Sequence, residues 1–210
     1  MLDALRCRVI WLGILGAFIG QPRSQISMPI RIAAFCGSLR KDSANRKLLN
    51  TCIELKPADM IVEVVEIRDL PLFDQDIMDA GTNAVVKTFR DKVAAAEGFL
   101  FVTPEYNYSV PGALKNAIDW ASRPPNPPMF AKAAAILGAS PGPVGTARMQ
   151  YHLRQVGVFL DLRFVNKPEV MVGMAPSKFD AAGRFTDETG RGLVKDLMAN
   201  LGALVVKLKA

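Results

Sequence analysis

A polar, aromatic segment near the middle of the chain offers the first candidate for chemistry. Residues 98–103, G-F-L-F-V-T, form a short apolar run typical of a fully buried strand. Pro104 ends that strand, because proline lacks the N–H that a sheet ladder requires. Residues 105–108, E-Y-N-Y, follow at the carboxyl end, where open parallel sheets bind their ligands. Two aromatic rings and an amide suit a flat ligand with polar edges better than a metal ion. An ordinary turn before a helix is the simpler alternative.

An earlier segment places a glycine turn, hydroxyl groups and a cation between a strand and a helix. The strand is residues 30–36, I-R-I-A-A-F-C. Free N–H groups at the start of the helix favour an anion. Ser38, Ser43 and Asn45 add side-chain donors, and Arg40 adds a charged fork. Ser43 alone could be a simple helix cap, but a cap explains neither Ser38 nor Arg40. The sequence therefore predicts a phosphate-binding loop, which has neither the G-x-G-x-x-G fingerprint nor the G-K-[ST] of a Walker loop.

A third loop, residues 138–145 with the sequence G-A-S-P-G-P-V-G, follows another predicted strand. The single histidine, His152, lies in the next predicted helix, where a structural role is more common than a catalytic one. The sequence shows no Ser/His/Asp or Cys/His set, no H-x-x-x-H pair and no carboxylate cluster. We therefore expect a bound cofactor to carry the chemistry.

Strands and helices alternate around these loops, which predicts an α/β fold with a parallel sheet. The predicted strands are residues 30–36, 61–67, 98–103, 132–137 and a fifth made of 164–165 and 169–172. The predicted helices follow Ser43, run from Thr82 to about residue 97, start at Pro111, and span 146–160 and 187–207. Residues 68–81 are too long for a plain connector and are interpreted as a lid or interface loop. Residues 173–190 are interpreted as a polar, mobile loop.

Length and composition fit one packed domain. The chain has 210 residues, half of them hydrophobic, and no apolar run reaches the length of about 18 residues that marks a membrane helix. The net charge is +6, but no run of basic residues favours nucleic acid, so a small anionic ligand is the simpler explanation. Three cysteines without metal-binding spacing favour a reducing cytoplasm.

The N-terminal segment differs from the rest. Two arginines precede an apolar run at residues 9–19, as in a signal peptide, but no A-x-A-like cleavage site follows. We interpret residues 1–27 as an extra leader, translated from an upstream start and outside the fold. Residues 28–210 are then the single domain.

Two long motifs carry a family resemblance. The segment at residues 37–46, G-S-L-R-K-D-S-A-N-R, is similar to the phosphate loop of the NADPH-dependent FMN reductase family. The segment at residues 104–120, P-E-Y-N-Y-S-V-P-G-A-L-K-N-A-I-D-W, resembles the flavin-ring signature of that family. R-M-Q-Y-H-L-R-Q at 148–155 and N-K-P-E at 166–169 resemble its bacterial chromate and quinone reductase branch. The likeness covers the chain from about residue 28 onward.

The resemblance implies a flavodoxin-like, doubly wound, five-stranded parallel sheet in the order 2-1-3-4-5, with non-covalent FMN at the switch point. The residues that it implies as FMN contacts fall into three groups. They are Ser38, Arg40, Ser43, Ala44, Asn45 and Arg46 at the phosphate, Pro104, Glu105, Tyr106 and Asn107 at the isoalloxazine ring, and Ala139 and Ser140 at its other side and the ribityl chain.

The resemblance also implies an FMN-dependent NAD(P)H oxidoreductase. NADPH or NADH would reduce the bound FMN, and two electrons would pass to a quinone, to chromate or a similar metal oxyanion, or to free flavin. No catalytic side chain and no metal are expected. A flavodoxin-type electron carrier without turnover stays open, although such carriers are usually acidic. A nucleotide-binding regulatory module without flavin is a second alternative.

The family resemblance implies a homo-oligomer, a dimer or a homotetramer. Arg148, Tyr151 and Arg154 lie close together on the predicted fourth helix, and tyrosine and arginine are enriched at interface anchors. Glu169 is expected to pair with Arg148 or Arg154 of a neighbouring subunit, with a solvated face as the alternative. The expected partners are thus a small electron acceptor and further copies of the chain, without nucleic acid or membrane, in the cytoplasm.

Overall fold

A parallel sheet with helices on both faces forms the framework of the molecule. The computed structural model describes residues 28–81 and 83–210. The predicted leader, residues 1–27, and the predicted helix cap Thr82 lie outside the described residues. Within the described ranges, no helix combines the length and apolar character needed to cross a membrane.

The sheet has the order β2-β1-β3-β4-β5, and all of its pairings are parallel. Its strands are β1 (Ile30–Cys36), β2 (Met60–Val64), β3 (Gly98–Val102), β4 (Ala133–Ala139), β5 (Arg163–Phe164) and β6 (Val170–Val172). β6 pairs with the end of β4, on the same edge as β5. The predicted order is confirmed, and the predicted fifth strand is two short strands that share one partner.

The connections between strands are helical. The helices are α1 (Ala44–Leu55), α2 (Gln75–Ala80), α3 (Ala84–Ala94), α4 (Gly112–Ala121), α5 (Ala147–Phe159) and α6 (Glu188–Lys209). α1 and α6 pack on one face of the sheet, and α3, α4 and α5 on the other. Because both faces are covered, the central strands are apolar along their whole length, and every residue of β3 and β4 is buried.

The link at residues 68–81 differs from the prediction. It contains α2, which Asp74 caps and which ends at Gly81 in the left-handed conformation. The preceding chain is fastened to α4, because Asn116 Nδ2 and Trp120 Nε1 each donate to the Pro71 carbonyl at 2.8 Å. These contacts hold the link against α4.

Other boundaries shift for local reasons. The helix predicted to start at Thr82 begins at Ala84, because the Asn83 side chain accepts from the N–H groups of the first turn. Pro111 is the N-cap of α4 rather than a residue of its first turn. The predicted polar loop at 173–190 is folded back on itself by a bridge between Phe179 and Phe185, and the Phe185 side chain is buried.

Candidate functional site

Three loops meet at one edge of the sheet, because β1, β3 and β4 are parallel neighbours. They are residues 37–43 after β1, residues 103–111 after β3 and residues 140–146 after β4. The first two loops border an open cleft of about 320 Å³. That volume lies within the range of about 300–1,000 Å³ that small-molecule sites occupy. The residues lining it are Gly37, Leu39, Arg40, Tyr106, Pro111, Gly112 and Ala113.

The loop after β1 has the features of an anion site. Ser38 and Ser43 are buried, and the Ser43 hydroxyl caps α1 by accepting from the Asn45 N–H at 3.2 Å. The Ser38 hydroxyl accepts from the Arg40 N–H at 3.4 Å, while the Arg40 side chain is exposed. The first turn of α1 carries no acidic residue. Its free N–H groups therefore remain available to a phosphate.

Close contact between the first two loops requires glycine at position 37. A Cβ added to Gly37 would overlap the Thr103 side chain at the end of β3. The absence of that atom lets the backbones of the two loops approach each other beside the cleft.

The side-chain amide of Asn45 makes two hydrogen bonds to a single residue at the end of β4. Its Nδ2 donates to the Ala139 carbonyl at 2.9 Å, and its Oδ1 accepts from the Ala139 N–H at 2.8 Å. Asn45 is almost fully buried, with 3 % of its surface exposed. The side chain therefore joins the start of α1 to the end of β4, and the Ala139 backbone is already paired. Asn45 thus supports the phosphate loop from behind, and a contact between the second N–H of its Nδ2 and a phosphate stays a prediction.

Two further cations lie beside the phosphate loop. Arg46, in the first turn of α1, contacts both carboxylate oxygens of Glu66 at 2.9 and 3.1 Å, so its charge is shared with that partner. Arg68 donates to the Leu39 carbonyl. Arg68 is not among the predicted site residues, because nothing in its local sequence shows that the chain after β2 returns to this loop. Arg40 has no carboxylate within ion-pair distance in the described part of the chain.

The loop after β3 is a tight turn with unusual backbone geometry. Tyr106 and Ser109 exchange backbone hydrogen bonds of 3.1 and 2.9 Å. Between them, Asn107 and Tyr108 have φ values of +49° and +64°. Two central residues with positive φ define a type I′ turn, which is rare for a residue as large as tyrosine. Pro104 is buried behind the turn, while Tyr106, Asn107 and Tyr108 are exposed.

The Glu105 side chain is turned away from the predicted ring site. One of its carboxylate oxygens accepts from the Met149 N–H at 3.1 Å, and the other lies 3.1 Å from Arg148 Nε. Both carboxylate oxygens of Glu105 therefore contact α5. A contact between the Glu105 backbone and the isoalloxazine ring stays a prediction. The guanidinium of Arg148 lies 3.7 Å from the centre of the Tyr108 ring.

The third loop is tied to β6. Ser140 N–H donates to the Val172 carbonyl at 2.9 Å, and the Ser140 hydroxyl lies 3.4 Å from the Gly142 carbonyl, to which it donates. Ala139 and Ser140 lie at the carboxyl end of β4, next to the first two loops. The Ala139 backbone and the N–H and hydroxyl groups of Ser140 have hydrogen-bond partners within the chain.

The predicted interface residues have partners in the same chain. Arg148 pairs with Glu105, as described above, and Arg154 donates to the Asn166 side chain at 3.0 Å and to the Val165 carbonyl at 3.1 Å. Glu169 lies 3.4 Å from the Lys167 ammonium. Tyr151, in contrast, is 56 % exposed.

The titratable groups near the site do not form a catalytic set. His152 Nδ1 lies 3.0 Å from the Ser109 hydroxyl, so the ring touches the turn from α5. Burial raises the pKa of the Cys36 thiol at the end of β1, which keeps it neutral, and its Sγ donates to the Ser38 carbonyl at 3.5 Å. Within residues 28–81 and 83–210, no three His, Cys, Asp or Glu side chains are grouped to hold a metal.

Comparisons with known proteins agree on one family. A family model described as NADPH-dependent FMN reductase matches residues 30–177. An NAD(P)H-dependent FMN reductase of Pseudomonas aeruginosa is 48% identical over 184 residues, which cover 88% of this chain and 100% of that protein. An NAD(P)H:quinone oxidoreductase of Solanum tuberosum is 48% identical over 186 residues, covering 86% of this chain and 95% of that protein.

A solved structure supports the same assignment. FerB, a flavoenzyme NAD(P)H:(acceptor) oxidoreductase from Paracoccus denitrificans, superposes with a TM-score of 0.78 at 32% sequence identity. The match covers 85% of this chain and 98% of FerB. The resemblance seen in the two motifs is thereby confirmed, and this chain belongs to the NADPH-dependent FMN reductase family of flavin-dependent oxidoreductases.

Proposed function

We propose that the protein binds FMN in the cleft between the first two loops and oxidises NAD(P)H, passing two electrons to a quinone or another small acceptor. The observation that carries this proposal is the convergence of an anion-binding loop and an aromatic turn on one cleft at adjacent strand ends. The anion-binding loop suits the phosphate of FMN, and the turn suits its ring.

The residues of the chain bind and orient the cofactor. Ser38, Ser43 and the N–H groups at the start of α1 would hold the phosphate, and Arg40 would neutralise part of its charge. Ala44, the first residue of α1, would contribute through its backbone, and Arg46 through a charge shared with Glu66. The turn after Pro104 would lie along the ring through Tyr106 and Asn107.

When bound, FMN supplies the two-electron chemistry, so no side chain has to act as an acid or a base. The protein's task is to fix the ring, to leave one face open and to keep NAD(P)H and the acceptor close to it. The cleft is open on one side, and Tyr106 beside it is 46 % exposed, which supports a site that different flat molecules can enter in turn.

The surroundings of the cleft favour an apolar, planar acceptor. Tyr108, Val144 and Met174 on the loops at this edge are 66 %, 49 % and 54 % exposed. Exposed apolar side chains suit a quinone better than a small oxyanion. The name of the Solanum tuberosum relative, a quinone oxidoreductase, points the same way. For chromate as an acceptor, Arg40 and Arg68 would supply the positive charge that attracts the anion.

A flavodoxin-type carrier is the alternative function. The experiment is to purify the protein, record its flavin spectrum, and measure NADPH and NADH oxidation with benzoquinone, with chromate and without acceptor. The proposed reductase is expected to be yellow and to consume NADPH rapidly when benzoquinone is present. A yellow protein without NADPH consumption would be a carrier, and a colourless protein that takes up no FMN would contradict the cofactor assignment.

We also propose a homo-oligomer, a dimer or a tetramer, that uses the exposed side of α5. Tyr151 and Val158, seven residues apart and therefore on one face, are 56 % and 78 % exposed, and the adjacent Phe159 is 68 % exposed. Because Arg148, Arg154 and Glu169 have partners within the chain, Tyr151 is the strongest anchor of the predicted set. Light scattering of the wild type and of Tyr151→Ala tests this arrangement, and a monomeric wild type would exclude it.

We also propose the bounds of the functional domain and a cytoplasmic location. Residues 28–210 would form the functional domain, which agrees with the 184 residues that match the whole Pseudomonas aeruginosa protein. The free, buried thiols of Cys36 and Cys52 support a cytoplasmic location, where NAD(P)H is supplied.

A further inference from the structure

The turn after β3 touches α5 at three places. Glu105 meets the Met149 N–H and the Arg148 guanidinium, each at 3.1 Å. The same guanidinium lies over the Tyr108 ring at 3.7 Å. Ser109 lies 3.0 Å from the His152 ring, one helical turn further along α5. Residues 105–109 are therefore fastened along one side of this helix.

Glu105 supplies a helix cap that the local sequence does not. Thr146 is the N-cap residue of α5, but its side chain makes no capping hydrogen bond. Met149 is the third residue of α5, so its N–H has no acceptor within the helix. The Glu105 carboxylate accepts from that N–H and carries the charge that a helix N-terminus favours. Its side chain is only 10% exposed, which limits competition from water.

The contacts with α5 account for the backbone of the turn. Asn107 and Tyr108 both have positive φ, a conformation that costs energy for residues with a Cβ and persists only where the surroundings impose it. Glu105 holds one end of the turn, Ser109 holds the other, and the Tyr108 ring is covered by Arg148. The conformation of the turn beside the cleft therefore depends on the contacts that Glu105, Tyr108 and Ser109 make with α5.

We propose that Glu105 is a positioning residue that, by capping α5, fixes the turn so that Tyr106 and the neighbouring backbone face the cleft. The inference rests on the proposed FMN site but assigns Glu105 no contact with the flavin through its side chain. Because residues 140–146 lead directly into α5, the same contact also sets the distance between the second and third loops.

The first test uses protein from which FMN has been removed. Glu105→Ala should accelerate hydrogen exchange at the amides of Met149 and Ser109 by roughly 10-fold or more, as expected for the loss of a hydrogen bond to a charged group. Glu105→Gln keeps an acceptor for Met149 but loses the charge facing Arg148, so it should give a smaller acceleration. The matched control is Asp91→Asn, which removes a carboxylate from an exposed pair with Lys87 on α3.

The second test separates positioning from mere stability. Looser placement of Tyr106 should raise the KM for NADPH and shift the midpoint potential of bound FMN, while kcat at saturation changes less. A purely structural defect would reduce the active fraction, and therefore kcat, without moving KM or the potential. The proposal is overturned if exchange at both amides matches the wild type, or if exchange accelerates while KM and potential stay unchanged. Should Glu105→Ala not fold, Glu105→Gln decides by the same criteria.

Failure of this inference can be told from failure of the proposed function. The exchange measurement requires no flavin, whereas the proposed function falls only if the wild type binds no FMN or oxidises no NADPH. Normal exchange in Glu105→Ala, combined with an active yellow wild type, would remove the role of Glu105 and leave the reductase intact.

Discussion

Arg40 is the side chain on which the proposed phosphate site depends most directly. Its side chain is exposed beside the start of α1, and Arg46, its nearest basic neighbour on that helix, already pairs with Glu66. Arg40 is therefore the cation best placed to meet an arriving phosphate. Its backbone N–H bonds to Ser38, which holds the loop in shape independently of the guanidinium.

Arg40→Ala is expected to weaken FMN binding by about 1.5–3 kcal/mol, the range for a hydrogen bond to a charged group. This corresponds to roughly a 10- to 150-fold increase in the dissociation constant. Quenching of FMN fluorescence on binding measures this dissociation constant. Arg163→Ala, which removes an exposed arginine paired with Asp161 at the start of β5, should leave the affinity unchanged. An unaltered constant in Arg40→Ala would contradict the phosphate assignment.

Asn45 acts through two buried hydrogen bonds to one residue. Asn45→Ala would leave the Ala139 N–H and carbonyl without partners inside the protein. We expect the free energy of unfolding to fall by about 2–6 kcal/mol, since each of the two unsatisfied buried groups costs about 1–3 kcal/mol. Urea denaturation of the FMN-free protein measures the change.

Asn45→Asp separates the two bonds at nearly constant volume. A carboxylate still accepts from the Ala139 N–H, but it faces the Ala139 carbonyl with a negative charge and stands behind the phosphate loop. Both stability and FMN affinity should therefore fall. If Asn45→Ala lowers FMN affinity and leaves the unfolding free energy unchanged, Asn45 is a direct ligand, as the family resemblance first implied.

At the scale of elements, the site depends on how closely the ends of β1, β3 and β4 approach one another. Gly37 and Gly138 both lie where an added Cβ would overlap Thr103, so the end of β3 is enclosed from both neighbours. The turn and the phosphate loop are consequently held by the sheet itself. A small increase in side-chain volume at these strand ends should therefore alter the shape of the cleft.

Gly37→Ala is expected to destabilise the fold and to weaken FMN binding, because the new methyl group must displace Thr103 and with it the start of the turn. Overpacking of this kind costs about 1–3 kcal/mol. Gly192→Ala is the matched control, since it adds the same methyl group in α6 with nothing within 4 Å. That variant should gain about 0.5–1 kcal/mol from helix propensity. Thermal unfolding and FMN titration compare the two variants, and equal effects would argue against steric crowding at β3.

At the scale of the whole molecule, the sheet carries two hydrophobic layers. One contains Cys36 and Cys52 together with the residues of α1 and α6, and the other contains the aromatic cluster of Phe35, Phe99 and Phe101. Burial raises the pKa of both thiols. The folded protein therefore protects them as neutral groups.

A Cys7→Ser variant should react slowly with a thiol reagent at pH 8 while folded, and rapidly at both remaining cysteines in denaturant. Because the pKa values of Cys36 and Cys52 are higher in the folded state, the folded protein holds these protons more tightly. The contribution of these two thiols to stability should therefore be fully present below about pH 8.5, the ordinary thiol value, and be lost as the pH rises above it. Fast labelling of the native variant would show that one thiol is accessible.

A chain that starts at Met28 is expected to fold, bind FMN and retain NADPH oxidation. The reason is that β1 begins at Ile30, and every described strand and all three loops lie downstream. Circular dichroism, flavin absorbance and NADPH oxidation compare this chain with the full-length protein. An insoluble or flavin-free product would show that residues 1–27 are part of the working domain.

The positions of the three loops and the order of strand and helix could be predicted from the sequence. Buried parallel strands such as β3 read as continuous apolar runs, and the polar residues that end them are adjacent in the chain. Serine at the start of α1 and proline after β3 are local signals with local effects. The family motifs added the sheet order, which the comparisons and the topology confirm.

Only the tertiary structure decided which of the polar side chains in the motifs join distant parts of the framework. Asn45 bonds to Ala139, which is 94 residues away, and Glu105 bonds to Met149, which is 44 residues away. Both residues lie in the motifs whose resemblance predicts contacts with the cofactor. A motif specifies residue types along one segment, whereas a hydrogen-bond partner depends on which strands the folded sheet brings together. For that reason the sequence determined where along the chain the candidate site lies, and the fold determined which hydrogen-bond partners its side chains have.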